Sequence, residues 1–151
     1  MIAEGTRALI VDDDPFVREM LSMILEGAGC ATEMAESGED AYKRLSGGAA
    51  FELVVSDMNM PGMSGLDLIK RLRAEGIGIP VIILTGNSEI AAAIEAIRSG
   101  ANDYLIKDEN IQDTIVLSAG RVLDHHTLQL QNIQLKQELA DLKAAMKKDG
   151  A

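Results

Sequence analysis

Three short aliphatic runs, RALIV at 7–11, LVVS at 53–56 and VIILT at 81–85, do most to narrow what this chain can become. Continuous apolar character is how a strand reads when both of its faces are buried, as in a parallel sheet covered by helices. Two further runs of strand length, ATEMA at 31–35 and DYLIK at 103–107, are mixed in polarity. Between the runs lie stretches with helix punctuation. PFVREMLSMILEGAG opens with a proline at an early helical position and closes on glycine. SGEDAYKRLSGG and SGLDLIKRLRAEG both begin with S-x-x-D, a capping-box variant, and both end near glycine. SEIAAAIEAIRSGA has apolar positions at helical spacing before a glycine stop. Five βα units with short connections and right-handed crossovers predict an α/β fold, a doubly wound open parallel sheet.

The totals agree with that reading. A chain of 151 residues suits one compact domain with some chain left over. With 47% apolar but only 3% aromatic residues, the core must be aliphatic. The net charge of -10 argues against direct binding to nucleic acid or to an anionic membrane, which need a basic face. Cys30 is the sole cysteine, so neither an internal disulfide nor a Cys-rich zinc site is available. No apolar run has the length of a signal-peptide core or a membrane span, and the expectation is a cytoplasmic protein.

In open α/β sheets function sits beyond the carboxyl ends of the strands. The first run ends at Asp12 and Asp13, the third at Asp57, the fourth at Thr85 and the fifth at Lys107, all on one edge. Three acids together repel one another, and a single lysine does not balance them. A divalent cation does, and hard oxygen ligands favour Mg²⁺. Asp14, just before Pro15, reads instead as a helix N-cap. Beyond Asp57, Pro61 and Gly62 turn the chain sharply and Ser64 caps the next helix, bringing residues 58–60 near the cation. The methionines read as packing, with Met58, Met60 and Met63 also shielding the pocket.

The set VDDDP, VVSDMNMPGMSGLDLI, VIILTG and GANDYLIK resembles, in order and spacing, the receiver domain of two-component response regulators, over residues 7 to about 120. The resemblance implies a five-stranded sheet of order 2-1-3-4-5, the flavodoxin or CheY-like arrangement, with an extended C-terminal helix. It implies a phospho-accepting signalling domain rather than an enzyme. Asp57 would take the phosphoryl group from a sensor histidine kinase. Asp13, Asp57 and the Asn59 carbonyl would hold Mg²⁺ directly, with Asp12 acting through water. Lys107 would stabilise the transferring group, Thr85 would donate its hydroxyl to a phosphoryl oxygen, and Tyr104 would be the aromatic that turns inward with Thr85. Two departures stand out. Where the family usually has proline after the lysine, often through a cis bond, this chain has Asp108, and where it often has alanine after the threonine, this chain has the more open Gly86. Asn59 and Asn87 are expected to flank the path of an attacking water. A haloacid-dehalogenase-like phosphatase is the enzyme alternative, but it needs a second acid two residues past the nucleophile, where Asn59 stands. A phosphorylation-independent interaction module is the other alternative.

The chain divides into a receiver, 1–120, and a C-terminal linker or coiled-coil helix, 121–151. Leu128, Asn132, Leu135, Leu139, Leu142 and Met146 alternate four and three apart, a heptad seam with Asn132, Leu139 and Met146 at a. A lone Asn at a favours a parallel, in-register pair, with Glu138 at g facing Lys143 at e. The alternative is a helix packed back on its own domain. VLDHHTLQLQNIQLKQEL loosely resembles the linker helix that precedes the ATPase domain in enhancer-binding regulators of the NtrC type. The expected partners are a histidine kinase, a second copy through this helix or through the face formed by the fourth helix, fifth strand and fifth helix, and an output domain or protein. His125 and His126 are not expected to bind metal.

Overall fold

The computed structural model describes residues 2–86 and 90–149. Asn87 therefore lies outside the described residues. Five strands, β1 (Arg7–Val11), β2 (Ala31–Ala35), β3 (Leu53–Asp57), β4 (Val81–Thr85) and β5 (Asp103–Ile106), form one sheet of order β2-β1-β3-β4-β5. Every pairing is parallel. They alternate with helices α1 (Pro15–Gly27), α2 (Gly38–Ser46), α3 (Gly65–Ala74), α4 (Ile90–Arg98) and α5 (Ile111–Asp149). The three continuously apolar runs become the central strands, where both faces are covered, and the mixed runs become the edges.

Period-two alternation divides the core. On one side Leu9, Val11, Val54 and Ile83 pack with Leu68, Ile69 and Leu72 of α3 and with Ala41 and Leu45 of α2. On the other, Ala8, Ile10, Val55, Ile82 and Leu84 meet Leu21 and Leu25 of α1 and Ile115 and Ala119 of α5. Each fully buried Leu or Ile contributes on the order of 2 kcal/mol of burial free energy, so the stability of the fold is concentrated in these layers. Cys30 is a small buried residue of the second layer.

The caps read from the sequence form. The Asp14 carboxylate accepts from the Phe16 N–H, Ser37 accepts from Asp40, and Ser64 and Asp67 complete a reciprocal capping box. Only at Ser64 are both halves made. Asp40 turns instead to Arg44.

The registers carry function to one edge. Val11 lies opposite Ala35 and Ser56, Asp57 opposite Leu84, and Thr85 opposite Ile106, so β1, β3, β4 and β5 end together. Past this edge α5 returns and continues as a single helix of 39 residues, roughly 60 Å long. Ile111, Ile115, Ala119 and Val122 bury its first part against the sheet. From Thr127 to Lys147 every residue is exposed, so the second part does not fold back on the domain. No helix among the described residues is long and apolar enough to cross a membrane.

Candidate functional site

Asp12 lies just past β1 and is 1% exposed. Such burial is tolerable for a carboxylate only with strong partners. Its Oδ1 accepts from the Asp14 N–H at 2.9 Å, and its Oδ2 accepts from the Lys107 ammonium at 2.8 Å. Arg18 of α1 reaches back and donates to the Asp12 backbone carbonyl at 2.7 Å. Asp57, the last residue of β3, is also buried and lies 3.0 Å from the same Lys107 Nζ. Asp13 is exposed beside them. One carboxylate oxygen from each of Asp12, Asp13 and Asp57 falls within 4.8 Å of the others.

Three carboxylates around one ammonium leave an excess of negative charge, and the titration behaviour reflects it. Burial pushes the Asp57 carboxyl above its ordinary value; the hydrogen bond and charge of Lys107 oppose this, and Asp12 and Asp13 add to it. Burial would by itself lower Lys107, but its hydrogen bonds to Asp12 and Asp57, with their charges, hold the ammonium above its ordinary value. The donor set consists of hard anionic oxygens, open on the Asp13 side, and fits a small divalent cation.

β4 delivers Thr85, buried, to the same edge. The Lys107 N–H donates to the Thr85 carbonyl at 2.7 Å, which ties the lysine to the end of β4. A Cβ placed on Gly86 would meet nothing within 4 Å among the described residues. No cis peptide bond occurs among the described residues, so Lys107–Asp108 is trans and still brings the ammonium onto both acids. Tyr104 on β5 packs its ring against the α2–α3 side of the core, and its hydroxyl is buried with no hydrogen-bond partner among the described residues.

Beyond Asp57 the chain turns back sharply. The Met58 N–H donates to Leu84, and its carbonyl accepts from Gly65. The turn needs Gly62 at φ +74, and Gly65 packs where a Cβ would lie 2.4 Å from the Asp57 carbonyl. Met58 and Met60 are buried in the core and Met63 packs against it, so these methionines anchor the loop from beneath. Asn59, between two buried neighbours, stays exposed.

Against known proteins, the description "Response regulator receiver domain" matches residues 8–117. The chain belongs to that family. Among its relatives, the chain is 36% identical over 135 residues to the DNA-binding transcriptional regulator NtrC of Escherichia coli K12, a match that covers 88% of this chain and 28% of NtrC. It is 38% identical to the transcriptional regulatory protein FixJ of Azorhizobium caulinodans, over 74% of this chain and 52% of FixJ. The chain thus spans from about a quarter to about half the length of these relatives. Among solved structures, the response regulator TrrA of Thermotoga maritima in complex with Mg²⁺–BeF superposes with a TM-score of 0.70 at 32% identity, covering 78% of this chain and 98% of that one. Family membership sets the phosphatase alternative aside, in keeping with Asn59 where that chemistry needs an acid.

The receiver's structure adds two residues that sequence reasoning passed over. Arg18 fixes the Asp12 backbone, and Glu39 of α2 grips the loop beyond Asp57 by accepting from the Met63 N–H at 2.7 Å. Neither stands at a strand end, and the Glu39 contact joins residues 24 apart, so no local pattern announces it.

Proposed function

We propose that this receiver is a Mg²⁺-dependent phospho-acceptor switch, with Asp57 as the acceptor. An Asp57 carboxylate oxygen attacks the phosphorus of a kinase phosphohistidine. The P–N bond breaks, the imidazole leaves, and an aspartyl phosphate forms. A cation would be held by Asp13, Asp57 and the Asn59 carbonyl, with Asp12 acting through water, and would supply positive charge to the phosphoryl oxygens. Lys107, already within 3.0 Å of Asp57, would add a second positive charge. Thr85 donates its hydroxyl to the phosphoryl group once it is in place. Tyr104, with its ring packed on the core and its hydroxyl without a partner among the described residues, is the element whose position follows Thr85.

The single observation that carries this reading is the convergence of Asp12, Asp13 and Asp57 on one point with Lys107 bridging two of them. It is supported by the Mg²⁺–BeF complex of the related TrrA. Phosphorylation would alter the face of α4, β5 and α5, where Ile94, Ile97, Ile106 and Leu117 are exposed. The change would pass from the receiver, 1–120, along α5 into the C-terminal segment of 121–151, and so to a second copy and an output domain or protein.

The test is incubation with a small phosphodonor and Mg²⁺, read by intact mass. The parent chain gains one phosphoryl group, and Asp57→Ala gains none. Labelling of Asp57→Ala to the parent's extent disproves the assignment.

A further inference from the structure

We infer that Glu39, in the first turn of α2, is a positioning residue for the cation-binding loop, acting through its hydrogen bond to the Met63 N–H. This rests on the reading of the acidic pocket as a Mg²⁺ site. The loop from Met58 to Ser64 carries the Asn59 carbonyl, and its two ends are held differently. Met58 is fixed to the sheet through Leu84 and to α3 through Gly65. At the far end, the Met63 N–H is held by the Glu39 carboxylate at 2.7 Å. Among the described residues, no other backbone N–H between Asn59 and Met63 has a protein acceptor.

Packing at the contact is close on both sides. A Cβ on Gly38 would lie 2.5 Å from the Met63 carbonyl and 2.9 Å from its Cβ, so only glycine lets α2 approach the loop this nearly. A Cβ on Gly62 would lie 2.5 Å from Glu39 Oε1. The carboxylate is exposed, so solvation does not hold it against the loop. The Met63 N–H does so, and the neighbouring N–H groups, its own first and then that of Met63, draw the carboxyl below its ordinary value. α2 is thereby joined to the metal-binding loop although it contributes no ligand of its own. Groups that orient a metal's ligands from behind typically change affinity about tenfold or more when removed.

The experiment uses the full chain, Glu39→Ala and Glu39→Gln. Mg²⁺ affinity is measured by calorimetry, and the backbone amide signals of Asn59 and Met63 by NMR before and after the cation is added. Glu39→Ala is expected to weaken Mg²⁺ binding about tenfold and to shift both amides in the cation-free protein. Glu39→Gln, whose amide oxygen can still accept from Met63, stays close to the parent in both. Parent-like affinity in Glu39→Ala overturns the inference, as does equal weakening in both variants, which would make the effect one of charge. Failure of the parent itself to bind Mg²⁺ overturns the underlying reading of the pocket instead.

Discussion

At the scale of single residues, Asp57 works against the fold that presents it. Its carboxyl is raised above the ordinary value chiefly by burial. The folded chain therefore holds that proton more tightly than the unfolded chain. Stability gained from this group is present below the unfolded value of about 4 and is lost as pH rises through the higher folded value. At neutral pH, with divalent ions chelated, the charge on Asp57 opposes folding, and Asp57→Asn is expected to be the more stable protein. The gain should appear as a higher Tm at neutral pH and should vanish in acid. Saturating Mg²⁺ reverses the order, because a ligand that binds only the folded state stabilises it by mass action. Thermal melts of the two proteins across pH, with chelator and with Mg²⁺, check this. Equal melting temperatures at neutral pH in chelator would show that Lys107 already offsets the burial of Asp57.

At the scale of elements, most of what the sequence displays is local, and most of what it hides is not. Strand cores, caps and glycine stops depend on neighbours within four residues, so Asp14, Ser37 and Ser64 could be read directly and take their expected roles. The strand-end acids were legible because parallel topology alone carries them to one edge. Three things were not. β5 ends at Ile106, one residue short of the expected run, although the Lys107 N–H still donates to the Thr85 carbonyl. The Ser37 box closes by half, since Arg44 competes for Asp40. The Glu39 contact depends on how closely α2 approaches a loop in another βα unit. The capping boxes also yield a prediction. Replacing Ser64 and Asp67 together by Ala removes both halves of the box that starts α3 and is expected to destabilise the protein by about 1 kcal/mol, near 3 °C in a melt. Ser37→Ala removes one bond and should lower Tm less. A larger loss in Ser37→Ala than in the Ser64→Ala, Asp67→Ala double variant would show that the reciprocal half contributes nothing.

At the scale of the whole molecule, the unresolved question is what covers the outer half of α5. Leu128, Leu135, Leu139, Leu142 and Met146 are between 52% and 66% exposed, an apolar row with no partner among the described residues of its own domain. At about 100° per residue, this row lies on the opposite side of the helix from Ile111, Ile115 and Val122, and in line with exposed Leu117. A second copy pairing along the row would therefore extend the contact up to the receiver's α4–β5–α5 face rather than compete with the sheet for the same residues. Three heptads are marginal for a free helix, so the row is stabilised by pairing with a second copy. Asn132 at an a position favours the parallel, in-register pair, in which Glu138 of one copy faces Lys143 of the other. In sedimentation the full chain is expected to be dimeric at high micromolar concentration, and a chain ending before Thr127 to be monomeric. Leu139→Asp places a charge in the seam and should also give monomers with an unchanged receiver. A full chain that stays monomeric would leave the row free for an output partner and remove the coiled coil.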